Sequence, residues 1–527
     1  MPTSVETAIQ FWPRGGSAQV VRYLHRDFET RSITTRVHAG SRGTPGDPSH
    51  APTFYAGLDL RSYDHQAAHT AFLAGRDPQA GARPHHPSYE DRGHCPDPLY
   101  SAVPPAAARR LTSAWKAHLT AQRSTSPAVL HLHHLSHLQL AAHAAFPSVP
   151  RVTTLHGTEL KHLQAIEQRV SLAEQAGLPL AELARRLHSK GHDRQTHADR
   201  IAQSAGLDET AHELLLTTHW EKWTHAEHWA ALFRQAAALA GPIVTVSHHD
   251  QALARQLLHL PEDPSVIGNG VDTRLFAPRP LTDAQRASYL RRWLVTDAQG
   301  WGPGGAAGSI RYTDTDLHHL HNADGTLRPL LLWVGRFLDF KRVPVLLEAF
   351  ALLRARSKQA PVLLMWGGYP GECEGEHPAD IARRLGIDDD VHFIGWRGHD
   401  ELPLGLNTAD LMVAPAVDEP FGMVYLEAMA CGTPPIATRT GGPARTILAG
   451  GPARTILADG PQATGWLAAP DDPADLAHVL QTALRTTRSP AAHARIADRA
   501  RNHITSTYSW SRTADAYLDT YDLTTTR

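Results

Sequence analysis

Residues 411–431 read LMVAPAVDEPFGMVYLEAMAC. The run sets Glu419 and Glu427 on either side of a Pro420-Phe421-Gly422 turn, directly after the apolar stretch 411–415, which spells a strand, a turn and a helix start. A turn that opens a helix leaves backbone N–H groups and a partial positive charge in front of the strand, a place that suits a phosphate. If the helix starts near Gly422, Glu427 lies about one turn inside it while Glu419 stays in the loop. The two acids can then address different parts of one elongated ligand, and acids beside a phosphate are suited to reading hydroxyls. An E-x7-E pair by itself is an ordinary loop acid and an ordinary helix acid. The surrounding chain decides between these readings.

Working outward, apolar β-rich runs alternate with Ala/Leu-rich helical stretches, which predicts an α/β protein of parallel sheets covered by helices on both faces. Two such arrays are visible, over residues 7–274 and 329–505, with further helix over 510–521. The expected layout is a first domain over 1–275, an interdomain insertion or linker over 276–328, a second domain over 329–505 and a C-terminal helix over 506–527. Ligands of open α/β sheets bind off the carboxyl ends of the strands, so two such domains facing one another would line a cleft with loops.

Composition agrees with a large two-domain protein. The chain has 527 residues, enough for two cores plus insertions. A formal charge of −2 with a pI near 7.1 gives no reason to propose a nucleic-acid partner. There is neither an N-terminal apolar leader nor an apolar run of about 18 residues, so a cytoplasmic protein without a transmembrane segment is expected. Cys95, Cys373 and Cys431 have no close pairing and suit a reducing compartment. Histidine is abundant, at 35 residues, which dilutes the signal of any single one.

The segment EPFGMVYLEAMACGTPPIAT resembles the donor-site signature of retaining glycosyltransferases with the two-domain GT-B fold, specifically family four. Other segments resemble that family in its order. Pro13-Arg14-Gly15-Gly16-Ser17 follows the apolar run 7–12 and resembles the glycine-rich first loop, and His156-Gly157-Thr158-Glu159 follows the run 151–155. Residues 243–247 with Asn269-Gly270-Val271-Asp272 resemble the "VS…NGVD" passage. Val334-Gly335-Arg336 with Lys341, and the strand 391–395, complete the set. The resemblance runs from about residue 11 to 515 and implies a nucleoside-diphosphate-sugar donor, UDP or GDP.

The resemblance also implies roles. Arg336 and Lys341 would neutralise the leaving diphosphate, the guanidinium as a planar fork and the ammonium as a point charge. Glu427 would hold the ribose hydroxyls, Glu419 a sugar hydroxyl, and the backbone of Phe421, Gly422, Met423 and Val424 the phosphate or sugar. Gly15 and Gly16 would let the backbone approach the ligand closely. His156 would lie against the sugar near the reacting carbon, donating to a hydroxyl or sustaining developing charge. The backbone around Gly395, Trp396 and Arg397 would meet the base, and the last helix would cross back onto the first domain.

Residues 161–240 read as a helical insertion, with Trp220, Trp223 and Trp229 better suited to packing than to a sugar platform. Residues 281–327, including WGPGGAAGS, read as a glycine-rich linker or lid. Residues 441–449 and 450–458 are identical copies of GGPARTILA, a tandem repeat in which the copy joined to Thr440 is expected to keep contact with the donor site. Nine added residues would extend a helix by roughly two and a half turns, so a bulged loop is expected. Two patterns look metal-like: Asp314-Thr315-Asp316, and His131, His133, His134 and His137 after the run 128–130. Both are read as chance, and no metal or other cofactor is expected.

No carboxylate is placed as an evident nucleophile for a double displacement. The family is described as using front-face substitution, in which the leaving phosphate accepts the acceptor's proton, so no catalytic base is assigned. The donor half resembles enzymes of actinomycete small-molecule pathways, which implies a small-molecule acceptor; residues 40–106 carry no acceptor motif, and a homodimer is left open. Two readings from other classes stand beside this one. The fold also hosts nucleotide-sugar epimerases and phosphorylases, and the tandem repeat could leave a non-catalytic nucleotide-sugar-binding protein.

Overall fold

The computed structural model describes residues 2–13, 15–47, 49–91, 95–121, 126–188, 192–356, 360–446 and 463–525. The chain divides into two compact units, one of Met1–Asp91, Pro96–Ile267 and Ala514–Arg527, the other of Arg92–Cys95 and Gly268–Thr513.

The first unit is built on seven parallel strands: β1 (Ser4–Ile9), β2 (Thr34–Ser41), β3 (Leu60–Asp64), β4 (Val129–His133), β5 (Arg151–Leu155), β6 (Ile243–Thr245) and β7 (Ser265–Val266). Their order is β3-β2-β1-β4-β5-β6-β7, so chain order reverses between β1 and β4. Val5, Val37, Leu130 and Leu155 are fully buried, as a sheet covered on both faces requires. Between β5 and β6 the described residues form five α-helices, from Thr158–Gln175 to Ala226–Ala238. Trp220, Trp223 and Trp229 are all buried there, and the indole N–H groups of Trp220 and Trp229 donate to the carbonyls of Leu215 and Val103 at 2.8 Å. The C-terminal helix Trp510–Thr525 joins this unit from Ala514 onward. Tyr517 and Tyr521 of that helix are fully buried, with their hydroxyls 2.9 Å from Thr154 Oγ1 and 2.8 Å from His131 Nδ1. Each ring contributes on the order of 1.5–3 kcal/mol by burial alone.

The second unit repeats the scheme with β8 (Leu330–Gly335), β9 (Val362–Gly367), β10 (Val391–Gly395), β11 (Leu411–Val413), β12 (Pro435–Thr438) and β13 (Trp466–Ala468), in the order β10-β9-β8-β11-β12-β13. Its reversal lies between β8 and β11. The helix Met423–Cys431 is buried from Tyr425 to Cys431, which explains why its sequence is apolar nearly all round.

Residues 276–328 are expected as an interdomain insertion or linker, and 281–327 within them as a linker or lid. They belong to the second unit, which begins at Gly268. A capping box of Thr282 and Gln285 starts the helix Asp283–Arg291, and Trp293, Leu294, Trp301 and Leu320 are buried. Trp301 donates its indole N–H to the carbonyl of Gly368 at 2.8 Å, and Tyr312 accepts the backbone N–H of Phe393 at 2.9 Å, which satisfies a donor on the edge strand β10. The glycines make the stretch look flexible, but its aromatic residues anchor it. Among the described residues no helix is long and apolar enough to cross a membrane.

Candidate functional site

In the second unit the site grows from two adjacent strand ends at the topological switch point. β8 ends at Gly335, and the chain passes through half-buried Arg336 into a short turn over Asp339–Lys341. Next in the chain, Arg342 adopts a left-handed conformation (φ 51°) and is pinned by Asp339 at 2.7 Å and Asp471 at 2.6 Å. β11 ends at Val413, and its following loop is stitched to the first by the Val417 N–H, which donates to the Phe340 carbonyl at 2.8 Å. The two loops meet in an ion pair: Lys341 Nζ lies 2.5 Å from Glu419 Oε2, with side-chain exposures of 15 % and 12 %. Ligands of sheets with this strand order bind at this reversal.

Gly422 caps the helix Met423–Cys431 with φ 82°, and a Cβ there would come within 2.5 Å of the Tyr425 ring. Glycine is therefore required both by the left-handed backbone and by the space. The Tyr425 hydroxyl donates to the Ala414 carbonyl at 2.7 Å, tying the helix back to the strand end. Met423 and Val424 fall in the first turn, where backbone N–H groups have no partner inside the helix. Phe421 is buried and turns its ring edge-on to Tyr508 at 6.1 Å, so its side chain is part of the packing.

The described part of the first copy of the tandem repeat, residues 441–446, begins with Gly441 and Gly442 packed on this turn. Gly442 N–H donates to the Glu419 carbonyl at 2.8 Å, and a Cβ on Gly441 (φ 69°) would come within 2.6 Å of that same oxygen. The second copy, 450–458, lies outside the described residues.

Glu427, almost wholly buried, accepts a hydrogen bond from His399 Nε2 at 2.7 Å. The sequence reading missed His399, which lies just past the Gly395-Trp396-Arg397 segment it singled out and whose residue type is common in this chain. Gly395 has φ 80° and pairs with Gln299, whose carbonyl would lie 2.1 Å from a Cβ at that position. Trp396 meets Tyr369 edge-on at 5.6 Å. The Arg397 side chain, 2 % exposed, is turned inward, donating to Asp297 at 2.8 Å and to the Trp293 carbonyl at 3.0 Å. Burial lowers its pKa from the usual guanidinium value.

In the first unit, Gly15 caps the helix Gly16–Thr30 and a Cβ there would meet nothing within 4 Å, so no neighbour in that unit demands a glycine. Arg14 lies outside the described residues. His156 follows β5, and its N–H donates to Glu159 Oε1 at 2.9 Å while Glu159 Oε2 lies 3.2 Å from His134 Nδ1. His156 Nε2 and His133 Nδ1 are 2.9 Å apart. Burial, reinforced by neighbouring His134 and His131, pushes the His156 pKa well below the ordinary imidazole value, so the ring is neutral at pH 7.

Residues of both metal-like patterns are engaged by other groups of the protein. Asp314 pairs with Arg291 at 2.7 Å, and Asp316 accepts the Thr313 N–H at 2.6 Å. His131 bonds Thr154 and Tyr521, whereas His133 and His134 turn to His156 and Glu159. Among the described residues no group of three or more His, Cys, Asp or Glu side chains is arranged to hold a metal ion.

Residues 321–503 match the family model of glycosyl transferases group 1. D-inositol 3-phosphate glycosyltransferase 2 of Catenulispora acidiphila is 38% identical over 199 residues, 36% of this chain and 42% of that protein. D-inositol 3-phosphate glycosyltransferase of Kineococcus radiotolerans is 27% identical over 401 residues, 71% of this chain and 82% of that protein. Sucrose-phosphate synthase from Thermosynechococcus elongatus superposes with a TM-score of 0.58 over 99% of this chain and 98% of its own, at 18% identity. The chain carries a glycosyl transferases group 1 domain, and its two sheets with their covering helices have the GT-B fold. The match to the Catenulispora protein thus spans less than half of that relative's length.

Proposed function

We propose that the protein is a retaining glycosyltransferase that moves a hexose-type sugar from a nucleoside-diphosphate sugar, UDP- or GDP-linked, to a small-molecule acceptor in a biosynthetic pathway of secondary metabolism. The observation that carries this reading is the Lys341–Glu419 ion pair at the strand reversal of the group 1 domain. An ammonium group has three N–H donors, so Lys341 can keep Glu419 and still reach diphosphate oxygens. Arg336, directly after the end of the same strand β8, adds a second cation to the same developing charge.

Front-face substitution needs no protein nucleophile. The bond from the anomeric carbon to the diphosphate oxygen breaks, the acceptor oxygen bonds to that carbon on the same face, and the acceptor's proton passes to the leaving phosphate. The protein supplies position and charge, and the step is metal-independent. A neutral His156 suits donation to a sugar hydroxyl and does not suit a cationic role. The relatives named D-inositol 3-phosphate glycosyltransferase favour a cyclitol as the acceptor class.

The test is turnover with EDTA present, using UDP- and GDP-hexoses with myo-inositol and inositol phosphates, followed by proton NMR of the product. A product with the donor's anomeric configuration is expected. An inverted product, an absolute need for a divalent ion, or conversion of the donor sugar without acceptor would each overturn the reading.

A further inference from the structure

Glu427 lies in the second turn of the helix Met423–Cys431, with a side chain only 6 % exposed. A carboxylate withdrawn this far from water is costly unless donors replace the water. His399 supplies one, with Nε2 2.7 Å from Glu427 Oε1 and a side chain 12 % exposed. The short separation is that of a charge-assisted bond. The imidazole is also held by packing, edge-on to Phe276 with ring centres 5.0 Å apart. Its backbone is fixed where the Leu402 N–H donates to the His399 carbonyl at 3.3 Å, at the start of the helix Leu402–Thr408. Thus a residue from the loop after the edge strand β10 grips an acid carried by the helix after β11.

We propose that His399 is a positioning residue for nucleotide recognition. By donating Nε2–H to Oε1 it fixes the Glu427 carboxylate and leaves Oε2 to accept the ribose hydroxyls of the donor. This inference rests on the assignment of Glu427 to the ribose. It links the base side of the site, where the Gly395-Trp396 backbone lies on the same loop as His399, to the ribose side. A purely architectural His–Glu contact would hold the helix in place without regard to the sugar of the nucleotide.

The test is titration calorimetry of the full chain with UDP and GDP and with their 2′,3′-dideoxy analogues. For whichever nucleotide binds, His399→Ala is expected to weaken the ribonucleotide about tenfold and leave the dideoxy analogue at the wild-type value. His399→Gln, which keeps an N–H donor near the same place, is expected to restore affinity to within about threefold. Combining His399→Ala with Glu427→Gln is expected to cost no more than Glu427→Gln alone. Equal weakening of ribo- and dideoxynucleotide, no weakening of either, or a double variant worse than Glu427→Gln would overturn the proposal. Should His399→Ala fail to fold, the His399→Gln and Glu427→Gln arms decide the question. If the wild type binds the nucleotide without discriminating ribose from dideoxyribose, the Glu427 assignment itself falls; if it binds neither UDP nor GDP, the donor reading falls with it.

Discussion

Lys341 and Glu419 sit at the ends of neighbouring strands whose chain order reverses, and their charged atoms are 2.5 Å apart with little water around either. The pair holds together the loops that follow β8 and β11.

Replacing Lys341 by Ala strands the Glu419 carboxylate in a largely buried position. It is expected to lower turnover by about 10²–10³, as loss of a preorganised charge at a transition state does, and to reduce stability by about 1–3 kcal/mol. Lys341→Arg keeps charge but not shape, and should recover stability more than turnover. Steady-state rates with thermal unfolding of both variants separate the two effects; parallel recovery of both by Arg would contradict this account.

Gly441→Ala is expected to disturb the loop that carries Glu419. The position has φ 69°, and a Cβ would come within 2.6 Å of the Glu419 carbonyl. A loss of about 1–3 kcal/mol follows from the strained backbone and the clash. Thermal unfolding and nucleotide affinity should fall together. A variant indistinguishable from wild type would show that the first copy of the repeat does not carry this contact.

Asp297→Ala leaves the Arg397 guanidinium, 2 % exposed and now paired with Asp297 at 2.8 Å, to backbone carbonyls and the more distant Glu401 at 3.8 Å. Asp297 is half exposed, so the loss is expected at about 1–3 kcal/mol, below that for a fully buried pair. Chemical denaturation reads it. No change in the midpoint would mean that residues 292–301 are not held by this pair.

Acid should destabilise the first unit before the second. Burial holds His25, His131, His137 and His162 near pKa 3 against an ordinary 6.5. Below 6.5 the unfolded chain takes up protons that the native rings refuse, so stability is level above that pH and falls as pH drops from 6.5 toward 3. Each such ring costs about 1.4 kcal/mol per pH unit across that window. Four of them amount to roughly 5–6 kcal/mol at pH 5.5, a large share of a domain's stability. The second unit's His377 and His392, held near 4, cost about as much per ring down to pH 5.5, but they are two against these four. Calorimetric scans at pH 7.5, 6.5 and 5.5 should show little change across the first step and a steep fall across the second. A midpoint unchanged between 6.5 and 5.5 would contradict the burial of these rings.

The α/β class was legible because strands such as β8 and β9 are buried on both faces and so read as unbroken apolar runs. The strand, turn and helix that carry Glu419, Gly422 and Glu427 were legible through local spacing, since one turn and one helix place all three. What escaped depends on contacts between distant residues. Trp301 and Tyr312 sit in a stretch whose glycines suggest a free loop, and only their bonds to Gly368 and Phe393 reveal an anchored segment. His399 escaped because its partner is 28 positions away and one histidine among 35 carries no pattern. The commitment of Arg397 to Asp297, 100 positions upstream, was equally invisible in the chain.

The most direct test of a nucleoside-diphosphate site built on the Lys341–Glu419 reversal is titration calorimetry of UDP-, GDP- and ADP-sugars, with and without EDTA, into wild type and an Arg336→Ala/Lys341→Ala variant. The account predicts that one nucleotide class binds the wild type, that EDTA leaves this binding intact, and that the double variant loses it by at least about a hundredfold. Binding that the variant retains, or no binding by the wild type to any of the three, would contradict it.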